Sequence, residues 1–138
     1  GSNVWSQVTS YGFAQTSGTY TAIAGTEIIA DATDDASSAA TNIGFNFVFN
    51  GTTFTQFVAN SNGSIRLGSS APTSQYSPIS TTGNTNAIAF FARDGQSGPV
   101  TYELSGTSPN QVLTIQYANF QPTYTTAAST MNAQIKLY

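Results

Sequence analysis

The chain has 138 residues, which suits one domain with a buried core, and only 7% of them are charged where about 25% is usual. Net charge is −3, with Arg66, Arg93 and Lys136 as the only cations, too few to neutralise a nucleic-acid backbone or to form a polybasic membrane patch. Cysteine and histidine are both absent, which excludes disulfides, thiolate chemistry and any histidine-based triad, general base or metal ligand.

In chain order, strand-like runs are expected at Val4–Val8, Tyr11–Gln15, Tyr20–Ala24 and Glu27–Ala30. The stretch Ala32–Ala40 is short and lacks an apolar stripe, so it reads as a loop. In Ile43–Phe49, Ile43, Phe45, Phe47 and Phe49 alternate with Gly44, Asn46 and Val48, a period of two with one apolar face. Thr53–Ala59 and Ser64–Leu67 follow. Asn50-Gly51 and Asn62-Gly63 separate these three runs, and Asn and Gly both accept positive φ, so each pair reads as a tight antiparallel turn. Both pairs match the N-x-[ST] acceptor pattern, and turn chemistry accounts for them without a glycan.

Beyond the Ser/Pro/Thr-rich loop Gly68–Asn86 come Ala87–Arg93, Val100–Leu104, Val112–Tyr117 and Met131–Tyr138. Gly106–Asn110 forms the hairpin loop between Val100–Leu104 and Val112–Tyr117. In the last run Met131, Ala133, Ile135 and Leu137 share one face. About ten to eleven short strands with regular turns predict an all-β antiparallel sandwich of jelly-roll or immunoglobulin-like arrangement, one domain over residues 1–138. Ile43, Phe45, Phe47, Phe49, Leu113 and Ile115 are the expected core.

Chemistry is sparse. Asp31, Asp34 and Asp35 form the one acidic cluster. Carboxylates in a flexible loop suit calcium, which takes six to eight oxygen ligands. The EF-hand spacing is missing, and a solvated acidic loop is the competing reading. No other cofactor is expected. Exposed aromatics beside amides stack on sugars, and Trp5, Tyr76 and Tyr124 are the candidates for such a face. Tyr11, Tyr20 and Tyr117 are harder to place, and half-buried tyrosines are common. Glu27 and Glu103 alternate with apolar neighbours and read as solvent-facing. A glycosidase would need two carboxylates facing each other across a cleft, which the spacing does not single out. Lys136 reads as a solvated lysine.

Several motifs together resemble a module of large secreted and cell-surface proteins of Bacteroidetes-type bacteria. NIGFNFVFNG (Asn42–Gly51) is similar to its INIGFxFxFNG strand, and SNGSIRLG (Ser61–Gly68) to its NGxIxLG turn and strand. AIAFFARD (Ala87–Asp94) matches an IAPF-type strand loosely. PVTYELSGTSPNQVLTIQYANF (Pro99–Phe120) resembles its VxYxxxGTxPNRxLTIxWxNF hairpin, with Gln111 for Arg and Tyr117 for Trp. NAQIKLY resembles its NFQIxLYE ending, and GFAQTSGTYTAIAGTEI its start. A more distant likeness to nidogen-like extracellular domains lies in the SNGxI turn.

The resemblance implies a secreted or cell-surface β-sandwich used as a structural or adhesive unit, and no enzyme. Family members usually continue past the LYE strand into one more apolar strand, and this sequence stops at Tyr138. The expectation is therefore an open edge at Met131, Ala133, Ile135 and Leu137, filled by a strand from another copy to give a homo-oligomer or filament. A trimmed boundary is the alternative. Glycans are the other partner class. Nucleic acid and membrane insertion are not expected.

Overall fold

Period-two alternation and turn-forming Asn-Gly pairs carry through to the backbone. The computed structural model describes residues 8–72, 84–91, 93–125 and 129–138. Among these, eight strands form: β1 (Thr26–Ile29), β2 (Thr41–Phe49), β3 (Thr52–Asn60), β4 (Ser64–Leu67), β5 (Ala87–Ala89), β6 (Val100–Ser105), β7 (Val112–Phe120) and β8 (Met131–Leu137). They make two four-stranded antiparallel sheets, ordered β1-β6-β7-β8 and β2-β3-β4-β5. The described residues contain no α-helix, only a three-residue 3-10 turn at Val8–Ser10.

The core lies between the sheets. Ile43, Phe57, Ala59, Ile65 and Leu67 from one layer meet Ile29, Val100, Leu113, Ile115, Tyr117, Phe120, Ile135 and Leu137 from the other. Phe45, Phe47 and Phe49 are half-buried and pack against this cluster, so the apolar face expected of β2 points inward. Aromatic edges join the layers, with Phe57 of β3 meeting Tyr102 of β6 at 6.1 Å and Phe90 meeting Tyr117 at 5.0 Å.

The count of ten to eleven strands is corrected to eight among the described residues. Tyr11–Gln15 and Tyr20–Ala24 are not strands. Part of that chain lies on the outer face of the β1-β6-β7-β8 sheet, where its polar groups bond to side chains. Gln116 and Gln134 both bond to it, so its backbone joins no ladder. Of the first expected run, residues 4–7 lie outside the described residues, and Val8 opens the 3-10 turn. The run at Ala87–Arg93 is shorter than expected, ending as a strand at Ala89. Its Phe90 and Phe91 instead turn onto Gly63, both amides bonding to the Gly63 carbonyl. The loop over Ala32–Ala40 is found as expected, pinned by isolated bridges Thr33↔Ser97 and Ser37↔Asn60.

Both Asn-Gly pairs make turns, of different kinds. Asn50 (φ 49°) and Gly51 (φ 76°) are left-handed in a two-residue hairpin, as a type I′ turn requires. Asn60 pairs with Ser64, leaving a three-residue loop that closes with Gly63 at φ 89°. β2 also carries a wide irregularity, because Asn42 faces Gln56 while Phe47 already faces Phe54. Gly44 sits within it at φ 93°, and a Cβ there would come 2.5 Å from Leu104 Cδ2 of the opposite layer.

Candidate functional site

The turn Asn60–Ser64 is the polar centre of the molecule. Asn60, Ser61, Asn62 and Ser64 are 0% exposed, a buried run of amides and hydroxyls in a chain with few polar core positions. Gly63 lets it sit that deep: a Cβ there would lie 2.8 Å from Phe91 Cβ and 3.0 Å from Phe90 Cζ. Buried polar groups must find partners, and the side chains of Asn60, Ser61 and Asn62 find theirs in two loops, while Ser64 Oγ is buried with no hydrogen-bond partner.

The first loop is 35–38. Asn60 Nδ2 donates to the Ala36 carbonyl at 3.1 Å and to Ser37 Oγ at 3.2 Å. Ser61 Oγ accepts from the Ala36 amide at 3.0 Å, and the Ser61 amide returns a bond to the Ala36 carbonyl at 2.9 Å. The second loop is 94–97. Asn62 Oδ1 accepts from the Gly95 amide at 3.1 Å, while Asn62 Nδ2 donates to Asp35 Oδ1 at 3.0 Å. One amide side chain thus clamps both loops.

That clamp brings Asp34, Asp35 and Asp94 together, with a carboxylate oxygen from each within 4.8 Å of the others. Asp94 Oδ1 is buried and no hydrogen-bond donor reaches it. Desolvation, then the charges of Asp35 and Asp34, raise the Asp94 carboxyl above the ordinary carboxylate range. An all-oxygen cluster of this kind suits a hard cation, although three carboxylates fall short of the six to eight oxygens calcium takes. The hydrogen bonds through Asn62 account for the convergence without one.

Of the expected acidic cluster, Asp34 and Asp35 belong to this group, and Asp94 takes the place given to Asp31, which is exposed and outside it. No local spacing links Asp94 to Asp35. Their tie is the shared turn, and the only sequence signal for it is an Asn-Gly pair with polar residues on both sides.

The other expected site residues are scattered. Tyr124 is 51% exposed, while Trp5 and Tyr76 lie outside the described residues. Tyr11 packs edge-on against Phe49 at 6.0 Å, and its hydroxyl accepts from the Asn50 amide at 2.9 Å. Tyr117 is core, its hydroxyl donating to the Ser64 carbonyl at 2.7 Å. Glu27 and Lys136 are exposed, and Glu103 is half-buried. β8 is an edge strand, and along it Met131 is exposed and Ala133 half-buried, while Ile135 and Leu137 belong to this chain's own core.

No helix among the described residues is long and apolar enough to cross a membrane. No curated protein and no solved structure matches the chain. Residues 10–138 match the family described as NIDO related, which takes in both sheets, the buried turn and the two loops on it. The chain belongs to this NIDO-related family.

Proposed function

We propose that the protein is a non-enzymatic structural or adhesive module of a secreted or cell-surface protein, of the kind found in Bacteroidetes-type bacteria. The observation that carries this reading is where the family-like motifs fall. SNGSIRLG makes the buried turn and β4, NIGFNFVFNG makes β2 and its hairpin, and PVTYELSGTSPNQVLTIQYANF makes β6, its loop and β7. Within these motifs Ser61 and Asn62 serve the loop clamp and Asn50-Gly51 makes a hairpin turn. A nidogen-related domain is an extracellular type of module, which supports the location.

Self-assembly through a sheet edge is the second element of the proposal. β8 has one charged residue, Lys136, and its outer edge is unpaired among the described residues. A lone lysine and a register shift at one end of the ladder blunt this edge only in part, and an unpaired edge invites a further strand. Negative-stain electron microscopy over a concentration series tests this. Regular filaments or concentration-dependent oligomers support it, and monodisperse particles at every concentration reject it. Glycan binding is the alternative, favoured by the exposure of Tyr124. A glycan-array signal lost in Tyr124→Ala would replace the first reading.

A further inference from the structure

The outer face of the β1-β6-β7-β8 sheet carries a row of four side chains set by register. Glu27 of β1 lies opposite Thr101 of β6, Thr101 opposite Gln116 of β7, and Gln116 opposite Gln134 of β8. Two members of the row are unusual.

Gln116 Oε1 accepts three hydrogen bonds. Tyr20 Oη donates at 2.8 Å, the Ile23 amide at 2.9 Å and Gln134 Nε2 at 3.1 Å. Gln116 Nε2 donates in turn to the Ile23 carbonyl at 3.4 Å. Three donors on one amide oxygen draw electron density from its carbon, and they are already placed for the charge that oxygen would carry in a tetrahedral intermediate. Gln116 is only 6% exposed, under the segment that supplies Tyr20 and Ile23. Desolvation raises the Tyr20 phenol, which keeps it a neutral donor.

Thr101 is the second. Its Oγ1 is buried and has no hydrogen-bond partner, whereas its neighbours in the row, Gln116 and Gln134, are both hydrogen-bonded. A buried hydroxyl without a partner costs free energy, so its retention beside an activated amide invites a chemical reason. Directly opposed residues hold their Cβ atoms about 4.5–5.5 Å apart. Four bonds of roughly 1.5 Å each, from Thr Cβ through Oγ, Cδ and Cγ to Gln Cβ, span that gap.

We propose that Thr101 and Gln116 form an intramolecular ester by self-reaction within the folded chain. Thr101 Oγ attacks Gln116 Cδ, and the hydroxyl proton passes to the carboxylate of Glu27, the register neighbour on the other side of Thr101, whose exposed side chain must turn onto the hydroxyl to take it. The negative charge develops on Oε1, held by Tyr20, Ile23 and Gln134. As the intermediate collapses the Cδ–Nε2 bond breaks, and Nε2 takes the proton and leaves as ammonia. The bond formed is Oγ–Cδ, no electrons are gained or lost, and no co-reactant is needed. Escape of ammonia to solvent drives the exchange, and burial under the segment at Tyr20–Ile23 keeps water from hydrolysing the product. The product closes the β6–β7 hairpin covalently, in a protein without disulfides.

Electrospray mass measurement of the purified full chain under denaturing conditions tests this. A linked chain weighs about 17 Da less than its sequence, the mass of the ammonia lost when the nucleophile acylates. Chymotryptic cleavage after Tyr102 and Tyr117 should leave the peptides bearing Thr101 and Gln116 joined. That readout does not depend on how any variant folds. Thr101→Val should restore the full mass and separate the peptides, Thr101→Ser should keep the link, and Tyr20→Phe should lower the linked fraction. A wild-type chain at its full sequence mass after prolonged incubation at neutral pH overturns the proposal. So does a deficit that persists in Thr101→Val, which would assign the lost ammonia to a succinimide at Asn50-Gly51.

Discussion

Asn62 shows how much a single side chain carries. Its amide oxygen takes the Gly95 amide and its nitrogen serves Asp35, so Asn62→Ala leaves a buried donor unpaired and removes one tie to each loop. The expected loss is about 1–3 kcal/mol for the orphaned group alone, read from the urea midpoint. Asp94 has the opposite sign. Its raised carboxyl pKa means the folded state holds a proton more tightly than the unfolded one, so stability is highest below the unfolded pKa and falls as pH rises through the folded value. Asp94→Asn should therefore raise the melting temperature at neutral pH in chelator-containing buffer and flatten its decline over the weakly acidic range. An unchanged pH profile would remove the repulsion argument. Tyr117 is buried, and burial raises its phenol far above the ordinary value of about 10. Between the unfolded and folded values the unfolded chain has lost a proton that the native one keeps, so stability falls as pH climbs past about 10. Tyr117→Phe should blunt this alkaline loss while costing about 1 kcal/mol at neutral pH for the bond to Ser64.

Among the elements, β2 is the one whose sequence pattern and structure diverge most usefully. Alternation of Ile43, Phe45, Phe47 and Phe49 correctly indicates which face is buried, because side-chain direction has a period of two wherever a strand is extended. It does not reveal the irregularity between Asn42 and Phe47, whose cause lies across the sandwich, where Leu104 occupies the space a Cβ on Gly44 would need. Gly44→Ala meets both a positive φ and that contact. It should be more destabilising than the roughly 1 kcal/mol usual for a point change, and Leu104→Ala should recover only the steric part. Thermal unfolding of the two single variants and the double variant measures the split. The run Tyr20–Ala24 fails as a strand for a related reason. Its composition suits a ladder, yet side-chain amides on β7 and β8 capture its backbone groups first, and no local pattern announces that competition.

For the whole molecule, Phe57 with Tyr102 and Phe90 with Tyr117 tie the sheets through the core, so neither layer has an apolar face that is stable alone. Unfolding should be one transition, with far-ultraviolet circular dichroism and tyrosine fluorescence coinciding, and Phe57→Ala should cost about 3–5 kcal/mol without separating the two probes. Separate midpoints would mean that the layers hold together independently. The all-β class, the meander from β2 to β4, the two Asn-Gly turns and the inward faces of β2 and β7 were all legible in the sequence, whereas the core placement of Ile135 and Leu137 on β8 was not. Each legible feature depends on propensity and periodicity within a few residues. The burial of Asn60–Ser64, the convergence of Asp94 on Asp34 and Asp35, and the three donors gathered on Gln116 were decided only by tertiary structure. They join residues far apart in the chain, and what brings them together is the demand that each buried polar group find a partner. That demand can be settled only once the two sheets have closed on each other.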